Sequence, residues 1–315
     1  MFAISTSWNY SAHCDIEKML LDIKELGFNA IELGYNLAPE RLNALAELVT
    51  ALDIKVVSIH NFCPAPAKKI SGRLAPCDYY RLSSLDERER GKAVDYTKKS
   101  LDTARRFLAK ALVIHAGTVE LDGDYVQTIL ELYRQGKAGS PEFAQLKEEL
   151  LGVREIKKQP YLDATIRSLE EIIAYVDGAD VKIGLEVRYY PNEIPNFDEI
   201  DYLLKLFGSK GLVYWHDTGH GEVNERLGIT PHISYLSRFV KHMLGMHIHD
   251  IRGIKDHLAP FSAEFDFSKI TPYMQGNKIL VIEAHGPARP AEIKEGVERL
   301  CRFLREEYSD AGKKL

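Results

Sequence analysis

Eight short apolar runs punctuate the chain, at residues 2–7, 30–34, 55–60, 111–115, 181–187, 212–216, 243–249 and 279–284. Each is rich in Val, Ile and Leu, as strands covered on both faces are. Five of the seven gaps between them hold roughly thirty residues, the length of one strand-plus-helix unit. The gaps carry helical periodicity. In 15–26, Ile16, Met19, Leu20, Ile23 and Leu26 share one face, and Gly27 follows as a stop. Pro39 opens a second stripe through Leu42, Leu45, Leu48 and Val49; Leu101, Ala104, Phe107 and Leu108 mark a third. Ile166, Leu169, Ile172 and Ile173 mark a helix before the fifth run. Leu203, Leu204 and Phe207, then Ile233, Leu236, Phe239 and Val240, then Val297, Leu300, Phe303 and Leu304 follow the fifth, sixth and eighth. After the seventh run, 250–278 reads as loop, broken by Pro260 and Pro272.

Eight such units with no central break predict an α/β chain folded as a single (β/α)8 barrel over residues 1–315. A doubly wound sheet is the alternative, but it usually stops at fewer parallel strands. Two gaps are longer and predict insertions after strands three and four, at about 61–90 and 117–159. The second has helical patterns of its own near 125–133 and 141–151. Both follow strand C-termini, on the face where barrels carry their sites. They are expected to act as lid, substrate wall or subunit contact, or else as plain surface cover.

Composition narrows the class. The chain has 315 residues, 45% of them hydrophobic and 28% charged, which excludes disordered and fibrous sequences. The formal net charge of -5, without a basic run, argues against nucleic acid as a partner. The four cysteines share no C-x-x-C spacing and read as free thiols of a reducing, cytoplasmic compartment. There is neither a secretion signal nor an apolar stretch of ~18 residues, so no membrane partner is expected. No Gly-x-Gly-x-x-Gly follows a strand and no Gly-Lys-Ser/Thr loop is present, so neither NAD nor ATP is expected.

The chemistry lies in how the strands end. Eight of the 11 histidines sit at or just after strand C-termini: His60, His115, His216, His220, His247, His249, His257 and His285. Asp217 and Glu283 lie at the ends of two of the same strands, and Glu186 lies at the end of strand five, which carries no histidine. Isolated imidazoles and carboxylates are costly to bury. In a barrel these ends converge, and a shared cation relieves the repulsion among them. Glu186, Asp217, His247 and Glu283 would make one mixed nitrogen and oxygen site for Mn, Zn, Co or Fe; the other reading is a buried hydrogen-bond network.

On these residues the chain resembles the xylose-isomerase-like TIM-barrel superfamily, which includes sugar isomerases, ketose 3-epimerases, inosose dehydratases and AP endonucleases of the endonuclease-four type. The match lies in Glu on strand five, Asp-x-x-His on strand six (Asp217, His220), His-x-x-Asp on strand seven (His247, Asp250) and Glu on strand eight. The resemblance implies the metal ligands Glu186, Asp217, His247 and Glu283. His247 and His249 face the same way on a strand, so either could ligate; the motif favours His247 and leaves His249 beside it or facing substrate. The nuclease branch implies further ligands, here His60, His115, His220 and His257, with a second metal shared through Glu186. The Asp expected two residues before the last histidine is Lys255, with Asp256 adjacent. The nuclease segments after strands three and five are also missing, replaced by Asn61-Phe62-Cys63-Pro64 and Arg188-Tyr189-Tyr190-Pro191.

The isomerase and epimerase members imply proton transfer next to a carbonyl, with Glu186 and Glu283 as the carboxylates, a metal-stabilised enediolate, and His220 and Arg252 holding substrate oxygens. Arg188 either binds substrate or fixes Glu186. Trp8, Phe62, Tyr189 and Trp215 are near the mouth, where aromatic walls suit a sugar ring, though Trp215 also reads as core. His216 points toward the helix layer. His285 either orients Glu283 or lines a loop, and Cys63 has no base to activate it. Three function classes follow: a divalent-metal-dependent sugar, polyol or keto-sugar isomerase or epimerase; a metal-dependent dehydratase, lyase or hydrolase; and a non-catalytic metal or ligand binder. The expected partner is a small carbohydrate-like molecule, and a homo-oligomer is expected from symmetry statistics and the insertions.

Overall fold

The computed structural model describes residues 2–13, 15–67, 75–176 and 180–311, with side chains to residue 305. Eight parallel strands close into a barrel: β1 (Phe2–Ser5), β2 (Ala30–Leu33), β3 (Lys55–His60), β4 (Ala111–Ile114), β5 (Lys182–Glu186), β6 (Leu212–Asp217), β7 (Met243–Ile248) and β8 (Ile279–Ile282). Each strand pairs with its sequence neighbours, and β8 closes on β1 through Phe2 opposite Leu280 and Ile4 opposite Ile282. The expected (β/α)8 architecture is therefore present, one strand at each apolar run.

The helices are α1 (Ile16–Glu25), α2 (Leu42–Ala51), α3 (Glu87–Arg106), α4 (Tyr125–Arg134), α5 (Pro141–Val176), α6 (Phe197–Phe207), α7 (Thr218–Arg226), α8 (His232–Phe239) and α9 (Pro290–Ala311). Asp15 caps α1 through the Glu17 amide, and Asn196 with Glu199 forms a capping box on α6. As expected, no α-helix follows β7 among the described residues; a short hairpin of Asp250–Arg252 with Lys255–Leu258 and two 3-10 turns stand there.

Three details depart from the sequence reading. The helix expected near 166–173 and the insertion helix near 141–151 are one helix, α5, continuous through Pro160. Burial on both sides of the proline, by Leu150 and Arg154 before it and Tyr161 and Leu169 after it, outweighs the lost hydrogen bond. Phe107 and Leu108 lie beyond α3, and Leu108 turns outward at φ 56° and 80% exposure. Helix α7 has no counterpart in the apolar pattern, which Gly219 and Gly221 dilute.

Trp215 governs the barrel interior. It is fully buried and packs with Ala3, Ala30, Ala111, Val113 and Val281. The neighbouring strands make room for the indole with glycine: a Cβ on Gly245 would lie 2.5 Å from its Cζ3, and one on Gly184 would lie 3.1 Å from its Cε3. The large apolar core sits outside this plug, between strands and helices. Trp215 is thus core packing, as one reading of the sequence held, and it forms the floor beneath the polar mouth, edge-on to His247 with ring centroids 5.4 Å apart.

Candidate metal centre

Above Trp215 the strand C-termini bring acids and imidazoles together. Asp217 and His247 are register partners on β6 and β7. Donor atoms of Glu186, Asp217, His247 and Glu283, all buried, lie within 4.8 Å of one another. His247 is the hub. Its Nδ1 is 2.6 Å from Glu186 Oε1, 2.9 Å from Glu283 Oε2 and 3.7 Å from Asp217 Oδ2. On its other side, Nε2 is 3.0 Å from Glu32 Oε1, and Glu32 accepts the Ser58 hydroxyl at 2.7 Å. With Nε2–H donated to Glu32, Nδ1 of a neutral ring is the nitrogen left with a lone pair toward Glu186, Asp217 and Glu283.

Asp217 has two duties. As N-cap of α7 its Oδ1 accepts the His220 amide at 2.7 Å, which explains the Asp-x-x-His spacing. The same carboxylate is 3.0 Å from His249 Nε2. His249 Nδ1 accepts the His257 amide at 2.9 Å, so the proton of a neutral ring is on Nε2 and is donated to Asp217. His249 thereby orients Asp217. Gly219 accommodates this ring: a Cβ there would lie 2.2 Å from His249 Cε1. The Asp of His-x-x-Asp, Asp250, stays out of the mouth and accepts the amides of Ile251, Ala263, Glu264 and Phe265, fastening the loop after β7.

Glu186 is the most heavily tethered carboxylate. His115 Nε2 stands 2.8 Å from its Oε2, Arg188 Nη1 donates to the same oxygen at 2.6 Å, and His60 Nε2 is 4.0 Å away. Arg188 is itself held by Glu193, from Nε at 3.0 Å and Nη2 at 2.8 Å. Arg188 therefore fixes Glu186 and also lines the cavity. Burial pushes Glu186 and Glu283 up, but the imidazoles beside them prevail: His115 and His247 at Glu186, His247 and His257 at Glu283. Both carboxyls end well below the usual range. Burial lowers His247, yet Glu283 and Glu32 raise it well above an ordinary imidazole. His60 drops to about 4, through burial and then the proximity of His115.

Four further groups of donors adjoin this centre among the described residues: His60–His115–Glu186, His220–Asp256–His257, Asp217–His249–His257–Glu283 and Cys77–Asp78–His115. Asp256, adjacent to the position where the sequence offers Lys255, turns inward with Oδ1 3.1 Å from His257 Nδ1 and Oδ2 3.7 Å from His220 Nε2. Glu186, Glu283, His60, His115, His220, Asp256 and His257 line a cavity of about 250 Å³ together with Tyr35, Cys77, Asp78, Tyr189, Tyr190 and His285, whereas Asp217, His247 and His249 are not in its described lining.

Not every expected residue reaches it. The described lining includes neither Trp8, whose Nε1 donates to the Ala288 carbonyl at 2.9 Å, nor Arg252, which is exposed and donates to the Ser262 carbonyl at 3.2 Å. Phe62 is buried against Tyr80 and Tyr96. His216 faces the helix layer, 2.7 Å from the Tyr214 hydroxyl and 2.9 Å from His232 Nε2. His285 stacks on His257, and its buried Nε2 has no partner among the described residues. Sequence reasoning missed Glu32, Glu193 and Asp78. A charge inside the run Ala-Ile-Glu-Leu is the available signal for Glu32; Glu193 lies in a two-residue strand and Asp78 ends a 3-10 turn, both too short to carry a periodic pattern.

The donor set suits a divalent cation. Three buried carboxylates and an imidazole nitrogen point at one another, and like charges at that spacing repel unless a cation sits among them. Carboxylate and imidazole donors suit Mn, Zn, Co and Fe.

A family model described as "Xylose isomerase-like TIM barrel" matches residues 20–306. Among solved structures, an L-ribulose 3-epimerase is 15% identical with a TM-score of 0.70, over 99% of this chain and 96% of that one. A D-tagatose 3-epimerase-like protein is 18% identical with a TM-score of 0.65, over 98% and 99%. An AP endonuclease, family 2, from Brucella melitensis is 12% identical with a TM-score of 0.65, over 96% and 98%. At these identities the likeness is one of fold. No curated protein matches the chain by sequence.

Proposed function

The chain belongs to the xylose-isomerase-like TIM-barrel family, and from that premise we propose that it is a divalent-metal-dependent isomerase or epimerase of a sugar, polyol or keto-sugar. The observation that carries this reading is the convergence of Glu186 and Glu283 on His247 Nδ1, at 2.6 and 2.9 Å, with Asp217 completing the group. Solved structures of the same fold named as an L-ribulose 3-epimerase and a D-tagatose 3-epimerase-like protein support the carbohydrate class.

Glu186, Asp217, His247 Nδ1 and Glu283 would hold the cation, which when bound supplies Lewis-acid polarisation of a carbonyl and its neighbouring hydroxyl. The chain does the proton work. Glu186 and Glu283 come from β5 and β8, so two carboxylates are available to take a proton from the carbon beside the carbonyl and to return one. Arg188 and His115 keep Glu186 anionic and in place. Asp217, held by the His220 amide and His249 Nε2–H, is left to bind rather than to transfer protons. His220, His257 and His285 face the cavity and are available to substrate hydroxyls. The buried free thiols Cys63 and Cys77 are in keeping with a reducing, cytoplasmic setting, and a homo-oligomer remains the expected assembly.

A second reading, a multinuclear hydrolase of phosphodiesters, is favoured by two of the adjoining groups, His60–His115–Glu186 and His220–Asp256–His257. One set of assays separates the two. The metal-loaded protein is incubated in deuterated water with ketoses and aldoses, and separately with bis(4-nitrophenyl) phosphate. The isomerase reading expects deuterium at the carbon beside the carbonyl, lost in Glu186→Gln and Glu283→Gln and on chelation. Phosphodiester cleavage without exchange would replace it with the hydrolase.

A further inference from the structure

Ahead of α3, the described residues from Ala75 onward bring Cys77 and Asp78 to the side of the His115 ring that faces away from Glu186. Asp78 Oδ1 is 3.0 Å from His115 Nδ1, while Nε2 on the opposite side of the ring faces Glu186. Donor atoms of Cys77, Asp78 and His115 lie within 4.8 Å of one another. Cys77 is buried and lines the cavity. The contrast with Cys63 is informative. Cys63 belongs to the apolar core, where a thiol acts as a small hydrophobe. Cys77 stands instead among ionisable groups, where packing alone does not call for sulfur.

Thiolate, imidazole and carboxylate together are donors for thiophilic divalent ions, and Asp78 and Cys77, adjacent in the chain, meet the ring on its Nδ1 edge, away from Glu186. We propose that Cys77, Asp78 and His115 Nδ1 form a second cation centre, for an ion of the zinc class, distinct from the oxygen-rich centre at Glu186, Asp217, His247 and Glu283. On ligation the thiol gives up its proton to solvent. With Nδ1 on the cation, a neutral ring carries its proton on Nε2 and donates it to Glu186 Oε2. The centre thereby holds one of the two carboxylates that the proposed reaction uses; only this consequence rests on the isomerase reading. It also excludes His115 from a His60–His115–Glu186 metal site, because a neutral imidazole has one nitrogen to give.

The test uses the full-length protein, stripped with chelator and reloaded to saturation with cobalt(II) or zinc. The expected results are a near-ultraviolet thiolate-to-cobalt charge-transfer absorption and a sulfur scatterer in the zinc X-ray absorption spectrum. Cys77→Ser removes both signals and keeps the d–d absorption of the other centre, whereas Cys63→Ser keeps all of them. Bound metal with only nitrogen and oxygen neighbours in the wild type overturns the proposal while leaving the proposed function standing. A sulfur signal that survives Cys77→Ser also overturns it. No metal uptake at all removes both readings. If Cys77→Ser fails to fold, a wild-type X-ray spectrum without sulfur still overturns the proposal, and Cys77→Ala takes the place of the serine variant in assigning a sulfur signal.

Discussion

Glu32 and His247 are 215 residues apart in the chain and 3.0 Å apart in the barrel, both fully buried. The pair spans the interior from β2 to β7 and sets which imidazole nitrogen faces the acids. Partners of this kind typically change metal affinity about 10- to 100-fold when removed. Glu32→Gln is expected to weaken cobalt binding by roughly that factor with an unchanged far-ultraviolet circular dichroism spectrum. Wild-type affinity in the variant, measured by titration calorimetry, would mean that the ring is oriented by something else.

The Trp215 plug gives a packing prediction. A methyl group on Gly245 would meet the indole at 2.5 Å and the Ile279 carbonyl oxygen at 2.7 Å. Overpacking of this kind costs about 1–3 kcal/mol. Gly245→Ala should lower the urea midpoint accordingly. Trp215→Phe in the same chain should recover part of the loss, because the backbone clash remains.

Asp250 anchors the loop after β7 through four backbone amides. Hydrogen bonds to a charged acceptor contribute about 1.5–3 kcal/mol each at most. Asp250→Ala should release residues 251–265 to proteolysis and remove Asp256 and His257 from the mouth. Metal binding at Glu186, Asp217, His247 and Glu283 should survive. Unchanged cleavage kinetics at this loop would contradict the anchoring role.

Glu222 lies behind the site, between His232, Arg226 and Lys269. Burial raises its carboxyl, but His232, Lys269 and Arg226 bring it down to about 2 from 4.5. A depressed carboxylate stabilises the fold fully above its unfolded value and loses that contribution as pH falls through its folded value. The wild type should therefore lose stability as pH drops from about 4.5 toward 2. Glu222→Gln should melt roughly 2–4 °C lower at neutral pH, with the gap closing in acid. A pH-independent gap in Tm would sink this account.

The sequence by itself determined the architecture and the main donors. Eight doubly covered strands can hardly avoid runs of Val, Ile and Leu, and βα units of even length leave a closed parallel barrel as the simplest way to bury them. The same regularity made Glu186, Asp217, His247 and Glu283 conspicuous, since a charge that ends a buried strand must lie at the mouth. Local rules also carried the motif spacings: Asp217 caps the helix in which His220 stands three residues on. Only the tertiary structure decided what each of these groups faces. Asp78 and Cys77 reach His115 from a loop with no periodic signal, Glu193 turns Arg188 onto Glu186, and Glu32 meets His247 across the barrel. It also moved Arg252 and Trp8 off the cavity, carried α5 through Pro160, and gave His247 and His249 different partners, Glu186 and Glu283 for the one and Asp217 for the other. Strands and helices are written in short-range patterns of burial, whereas hydrogen-bond partners at the mouth depend on barrel closure and loop return, which no local pattern encodes.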